Sequence, residues 1–124
     1  MKYLGVDWGL KRVGLAISEG ELASPLMTLN ITSLQDGVKK IMDLVEKEDI
    51  RVIVIGQPEG ESGKLVQNAV KELSKIGVEI ISGDETLSTQ IAKDEMLNLG
   101  VKKKVRRDDN AMAAAVILQR YLDK

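Results

Sequence analysis

The sequence predicts an α/β fold: a five-stranded mixed sheet, with three antiparallel strands followed by two parallel strands, and helices on both faces. Three observations predict it. Two short apolar runs lie close together near the N-terminus, at residues 3–6 and 13–17. A β-branched run, RVIVI at residues 51–55, lies between segments of helical periodicity, as parallel strands do. The chain closes with an apolar helical pattern containing AMAAAVIL, whose alanines permit close approach to a sheet.

The first third of the chain predicts an antiparallel meander. The first strand ends at Asp7, and the spacing to the second strand suits a hairpin. Gly9 and Gly14 are expected to let this hairpin turn tightly. An extended segment at residues 22–31 follows, and its Pro25 indicates an edge strand or a bulge.

The rest of the chain alternates helices and strands. SLQD at residues 33–36 matches a capping box, and apolar residues then recur at helical spacing. Further patterns predict helices at 64–76, 86–99 and 108–122 and a strand at 78–82. Parallel strands joined by helices have right-handed crossovers almost without exception. Because no linker or internal repeat interrupts these patterns, residues 1–124 are expected to form a single domain.

The composition narrows the chemistry. The chain contains no cysteine and no histidine, which excludes disulfides, zinc sites of the Cys/His kind, thiol nucleophiles and a histidine base. A metal must therefore be held by oxygen ligands, which selects Mg²⁺, Mn²⁺ or Ca²⁺. With no Phe, one Trp and two Tyr, the chain also differs from modules that stack bases on aromatic rings.

Charge and hydropathy give a broad expectation about location. The formal net charge of −1 indicates no partner by itself. The N-terminal apolar stretch is too short for a signal peptide, and no stretch approaches the length of a membrane span. We expect a cytoplasmic protein with no membrane partner.

Acidic residues follow the strands that the pattern places side by side. Asp7 ends the first strand, and Asp84 and Glu85 follow the fifth. In open α/β sheets, ligands bind at the carboxyl ends of the strands. If strands one, four and five are neighbours, these carboxylates face one cleft.

The last helix can bring a third acid to this cleft. Residues 100–108 span up to about 30 Å when extended, enough for the chain to return from the preceding helix. The helix then begins with Asp108, Asp109 and Asn110. The alternative is that these residues only cap the free N–H groups of the first turn.

A cluster of carboxylates and neighbouring cations indicates phosphodiester chemistry. Carboxylates that share a cleft repel one another, and a divalent cation removes that cost. Two cations can hold the attacking water and the leaving oxygen of a phosphodiester without any histidine or cysteine. The basic residues that could contact the backbone of a nucleic acid are Lys11 and Arg12 beside Asp7, and Lys104, Arg106 and Arg107 before the last helix. The alternative for the second group is a solvated loop.

Four motifs in order resemble one family. V-D-W-G-x-K-R-x-G, a G-x-P loop, D-E-x-L-S-T and A-A-A-x-I-L-Q-x-Y-L-D together resemble the YqgF/RuvX family, over essentially the whole chain. That family is RNase H-like and related to the RuvC Holliday junction resolvases. The resemblance implies an RNase H-like fold and a metal-dependent nuclease. It also implies a role in maturing the 5′ end of pre-16S rRNA in ribosome biogenesis, or in resolving Holliday junctions.

The resemblance assigns the acids residue by residue. Asp7 matches the first-strand aspartate, and Glu85, preceded by Asp84, matches the D-E motif. The position of the third aspartate corresponds to Asn110, an amide. Either the neighbouring Asp109 substitutes for it with a small shift of the helix start, or the metal site is weakened. Thr86 stands where the family commonly has arginine, which removes a phosphate contact.

These features lead to one main hypothesis and three alternatives. The main hypothesis is an endonuclease for structured RNA in which Asp7, Glu85 and Asp109 hold Mg²⁺ or Mn²⁺. The first alternative is a resolvase for branched DNA, expected to be a homodimer that cuts two strands symmetrically. The second, indicated by Asn110 and Thr86, is a nucleic-acid-binding module without catalysis. The third, the actin and sugar-kinase fold, needs a far longer chain than 124 residues.

Overall fold

The computed structural model describes residues 1–57, 61–84 and 109–123. Within these ranges the chain forms one sheet of five strands in the order β3-β2-β1-β4-β5. The elements are β1 Lys2–Trp8, β2 Arg12–Ser18, β3 Ala23–Asn30, α1 Leu34–Glu48, β4 Ile50–Gln57, α2 Glu61–Leu73, a 3₁₀ turn Ser74–Ile76, β5 Glu79–Asp84 and α3 Asp109–Leu122. None of the helices in these ranges is both long and apolar enough to cross a membrane.

The pairing of the strands confirms the predicted mixed sheet. β1 with β2 and β2 with β3 are antiparallel, whereas β1 with β4 and β4 with β5 are parallel. β1 extends one residue beyond Asp7, because the hairpin ladder continues until Trp8 pairs with Val13. The turn closes with a hydrogen bond from the Gly9 N–H to the Arg12 carbonyl, at 2.9 Å. The expectation for Gly9 is therefore confirmed, whereas that for Gly14 is wrong, since Gly14 lies inside β2.

Pro25 marks both an edge and a bulge. β3 is the edge strand, so a residue without an N–H loses little there. The ladder between β2 and β3 shifts register at this point: Leu15 pairs with Met27 and Ala16 with Pro25. One residue of β3 is left over, as in a bulge.

α1 begins at the predicted cap. The Ser33 hydroxyl accepts a hydrogen bond from the Asp36 N–H at 3.1 Å, which satisfies one free donor of the first turn. The Asp36 carboxylate accepts from the Thr32 N–H at 3.0 Å, so the return bond reaches the residue before the cap. The buried side of α1 consists of Gly37, Val38, Ile41 and Val45.

Helices cover both faces of the sheet, as the sequence predicts. α1 and α2 pack on the face that holds the larger core, whose strand residues are Leu4, Val6, Trp8, Val13, Leu15, Ile50, Ile53 and Ile55. α3 packs on the other face with a smaller core of Ala16, Val52, Val54, Ala114, Ala115, Ile117 and Leu118. The helix predicted at 86–99 lies outside the described residues.

Candidate active site

Asp7 is a buried carboxylate on the face that α3 covers. The position two residues before it, Gly5, lies against Ala114 and Leu118 of α3, and alternate residues of a strand share a face. Asp7 is 9% exposed. Burial raises the pKa of its carboxyl from the ordinary 3.8 to about 6. Because no described residue forms a hydrogen bond or ion pair with it, ionisation of this group in the folded protein is costly.

The start of α3 lies beside Asp7. In the β1–β2 ladder Asp7 pairs with Gly14, and directly opposite residues have Cβ positions about 5 Å apart. A Cβ atom built at Gly14 would lie 1.9 Å from the carbonyl oxygen of Asn110. The backbone of the first turn of α3 therefore rests on the sheet next to the carboxylate, and Asn110 is half-buried there.

The carboxyl ends of β1, β4 and β5 meet at the same edge of the sheet. Val6 pairs with Ile55, and Gln57 pairs with Asp84, the last residue of β5. Since neighbouring strands lie about 4.8 Å apart, the backbone at the end of β5 is about 10 Å from β1 across the sheet. The strand order that the cleft hypothesis requires is present.

Several predicted site residues lie beyond what the structure describes. Glu85, Thr86, Lys104, Arg106, Arg107 and Asp108 are outside the described residues, and of Asp84 and Asp109 only the backbone is described. Within the described ranges, no group of three acidic side chains comes together as a metal site would require. The structure thus shows which described residues lie around Asp7 and where the first described turn of α3 rests on the sheet.

Lys11 lies in the β1–β2 turn and Arg12 is the first residue of β2, both close in sequence to Asp7. Both are exposed, and neither forms an ion pair with a described residue. The turn is also held to the end of β3, because the Ile31 N–H donates to the Lys11 carbonyl at 3.0 Å. Two exposed cations therefore lie at the tip of the hairpin, which backbone hydrogen bonds hold in place.

Sequence reasoning misses two residues that place α3. One is Gly14, described above. The other is Gln119, whose Nε2 donates to the Glu21 carbonyl at 3.0 Å and whose Oε1 accepts from the Ala23 N–H at 2.8 Å. The sequence does offer one signal for this packing. Each of the first two strands contains a glycine, Gly5 in β1 and Gly14 in β2, and the chain ends in an alanine-rich helix that can approach them closely.

Comparison with known proteins gives a consistent result. The family model described as "RuvX: Holliday junction resolvase" matches residues 1–124. A Malacoplasma penetrans protein is 34% identical over 132 residues, covering 98% of this chain and 93% of that protein. A Syntrophus aciditrophicus protein is 37% identical over 133 residues, covering 99% and 89%. Both are named "Putative pre-16S rRNA nuclease".

Among solved structures, RuvC of Thermus thermophilus in complex with a Holliday junction substrate is similar to this chain. The TM-score is 0.64 at 19% sequence identity, over 98% of this chain and 94% of that one. Identity this low shows the fold alone, and that fold is RNase H-like.

Proposed function

Because this chain belongs to the RuvX family and is a nuclease, we propose that it cleaves a phosphodiester bond of structured RNA at a divalent-cation site centred on Asp7. The observation that supports this most directly is the buried Asp7 carboxylate, which lacks a partner among the described residues. A bound cation would favour its ionised form. An oxygen-ligand site for Mg²⁺ or Mn²⁺ also suits a chain without cysteine or histidine.

The proposed cation has Asp7 as its first ligand. By the resemblance, Glu85 and Asp109 complete the ligand set, with Asp84 and Asp108 as the neighbouring acids. The contact of the Asn110 backbone with Gly14 supports the first turn of α3 as the source of the third ligand. When bound, the cation would activate a water and stabilise charge on the phosphate oxygens.

The basic residues would hold the substrate. Lys11 and Arg12 bind backbone phosphates next to the carboxylate, and Lys104, Arg106 and Arg107 extend this contact along the nucleic acid. Phosphate contacts fix the position of a nucleic acid without reading its sequence. Recognition would therefore depend on the shape of the RNA.

The names of the relatives support pre-16S rRNA as the substrate. We propose cleavage at its 5′ end, as the resemblance implies, and the cytoplasm as the location. The description of the family favours a second candidate, cleavage of four-way DNA junctions. For that activity we expect a homodimer, because two symmetric cuts require two sites. Sedimentation of the protein with a junction would detect the homodimer as a complex holding two chains.

The deciding experiment measures Mn²⁺-dependent cleavage of a pre-16S rRNA 5′ leader, unrelated structured RNAs and a four-way DNA junction. Asp7→Asn should lower the cleavage rate by more than about 100-fold. Mutating a residue that only hydrogen-bonds a metal ligand already lowers activity or metal affinity about 10–100-fold. Asp49→Asn is the matched control, because Asp49 is an exposed residue preceding β4, at the opposite end of the sheet.

Each outcome has a distinct meaning. Preference for the leader supports pre-rRNA processing, and preference for the junction supports the resolvase. Equal rates for wild type and Asp7→Asn would contradict the site. No cleavage with any metal, together with retained RNA binding, would identify a nucleic-acid-binding module without catalysis.

The third ligand has its own measurement. Calorimetric titration with Mn²⁺ should show weaker binding by Asp109→Asn than by wild type, and Asn110→Asp should bind more tightly if its carboxylate reaches the cation. If Asp109→Asn binds Mn²⁺ as wild type does, the role moves to Asp108 or Asn110.

A further inference from the structure

The first turn of α3 rests directly on the backbone of β2 at Gly14. A Cβ atom at this position would lie 1.9 Å from the Asn110 carbonyl oxygen, 2.2 Å from the Asn110 carbonyl carbon and 2.9 Å from the Ala111 nitrogen. All three are backbone atoms, so no side-chain rotation relieves the overlap. Since Cβ atoms essentially never approach other heavy atoms within 3.0 Å, a side chain here would displace the start of α3 by more than about 1 Å.

This contact is made beside Asp7, the cross-strand partner of Gly14. We infer that Gly14 is a positioning residue of the active site: the absence of a side chain there lets the first turn of α3 lie close enough to Asp7 for both to serve one cation. This inference rests on the function proposed above. Gly14 touches neither cation nor substrate, and it acts through the placement of α3.

The far end of α3 is fixed independently. Gln119 hydrogen-bonds the backbone of Glu21, between β2 and β3, and of Ala23, the first residue of β3. The rings of Tyr3 and Tyr121 also meet there, with centroids 6.1 Å apart. Because that end is held, a side chain at position 14 should tilt α3 away from the sheet rather than shift it as a whole. The displacement is then largest at the first turn, next to Asp7.

Two other glycines provide a graded comparison. A Cβ atom at Gly5 would lie 2.6 Å from the Ala114 carbonyl oxygen, so it should lift the middle of α3 by about half an ångström. A Cβ atom at Gly37 would meet only side chains of Trp8 and Ile31, on the opposite face of the sheet. The same substitution, glycine to alanine, can thus be made against the first turn of α3, against the middle of α3, and on the opposite face of the sheet.

The test combines Mn²⁺ titration calorimetry, steady-state cleavage and thermal unfolding for wild type, Gly14→Ala, Gly5→Ala and Gly37→Ala, with Asp7→Asn as reference. Gly14→Ala should weaken Mn²⁺ binding about 10–100-fold, the usual effect of losing a residue that orients a metal ligand. It should lower kcat on the order of 100-fold, the usual effect of a 1 Å misplacement. KM should stay near the wild-type value, because Lys11 and Arg12 are untouched. Gly5→Ala should show a smaller loss of Mn²⁺ affinity, and Gly37→Ala none.

The outcomes separate this inference from the proposed function. If wild type binds Mn²⁺ no better than Asp7→Asn, the proposed function fails and the inference fails with it. If wild type and Asp7→Asn differ but folded Gly14→Ala binds Mn²⁺ as wild type does, the inference alone is overturned. If Gly14→Ala does not unfold cooperatively, Gly5→Ala decides, and wild-type affinity in that variant overturns the inference.

Discussion

The two faces of the sheet are built from different kinds of side chain, although the same strands supply both. Toward α1 and α2, β1 and β2 present Leu4, Val6, Trp8, Val13 and Leu15, none more than 2% exposed. Toward α3, the same two strands place Gly5, Asp7, Gly14 and Ala16. The first face is filled with large apolar groups. The second carries small residues and a buried acid beside the start of α3, with the aromatic Tyr3 at its far end.

This difference indicates a division of roles. Large buried side chains provide most of the hydrophobic stabilisation, and a core tolerates modest rearrangement among them. Where backbone meets backbone, as at Gly14 and Asn110, no side-chain rotation can relieve an overlap, and α3 itself must move. We infer that the face toward α1 and α2 mainly stabilises the fold, whereas the face toward α3 fixes the geometry around Asp7.

The largest stability effect is expected from Ile53→Ala on the face toward α1 and α2. Ile53 is fully buried in β4, and removing such a side chain leaves a cavity that costs about 2–5 kcal/mol. Denaturant unfolding should show this loss, while Mn²⁺ affinity of the folded variant stays at the wild-type value. A parallel drop in Mn²⁺ affinity would mean that the two faces are coupled and the division does not hold.

Asp7→Asn should have the opposite effect on stability. Raising a carboxyl pKa from 3.8 to about 6 makes the ionised group destabilising by about 3 kcal/mol at pH 7, so the metal-free variant should unfold at a higher temperature than wild type. The asparagine side chain is still a buried polar group, so the variant retains part of the unfavourable free energy of burial. The gain should therefore reach at most about 3 kcal/mol.

The pH dependence of this gain follows from proton linkage. Between pH 4 and pH 6 the folded state binds a proton that the unfolded state has lost, so Asp7 lowers wild-type stability as pH rises through that window. Asp7→Asn lacks this contribution. The stability difference should be near zero at pH 4 and complete above pH 6. A difference that is independent of pH would show that Asp7 is not the group responsible.

The sequence predicts most of the fold because local signals agree with tertiary structure. RVIVI at residues 51–55 forms the centre of β4, Ser33 caps α1, and Pro25 lies at an edge and a bulge. It also singles out Asp7. The end of β1 is not predictable in this way, because the pairing of Trp8 with Val13 depends on how the hairpin closes.

The role of Gly14 illustrates why part of the site escapes sequence reasoning. A glycine shortly after the end of a strand is usually interpreted as a turn residue, and for Gly9 this interpretation is correct. That Gly14 instead receives a helix nearly a hundred residues later depends on the packing of α3, anchored by Gln119. Contacts of this kind follow from the assembled tertiary structure and have no local signature.

A smaller effect on stability is expected at the cap of α1. Ser33→Ala removes the acceptor of the Asp36 N–H and should cost about 1 kcal/mol. Since α1 covers the face away from Asp7, neither Mn²⁺ affinity nor kcat should change. Ser33→Asp serves as the control, because aspartate is an equally good cap and should restore stability. A change in Mn²⁺ affinity with the cap removed would again contradict the separation of the two faces.

The smallest effect concerns the two exposed cations at the tip of the β1–β2 hairpin, Lys11 in the turn and Arg12 at the start of β2. Lys11→Gln and Arg12→Gln should leave thermal unfolding unchanged, because both side chains are exposed and unpaired among the described residues. If each contacts one phosphate, each substitution should reduce the slope of log affinity against log salt by about 0.7–0.9. Lys47→Gln, an exposed change on α1, should leave that slope as it is. Equal slopes for all three variants would show that Lys11 and Arg12 do not contact the nucleic acid. A less steep slope together with wild-type Mn²⁺ affinity would show that different groups bind the substrate and the cation.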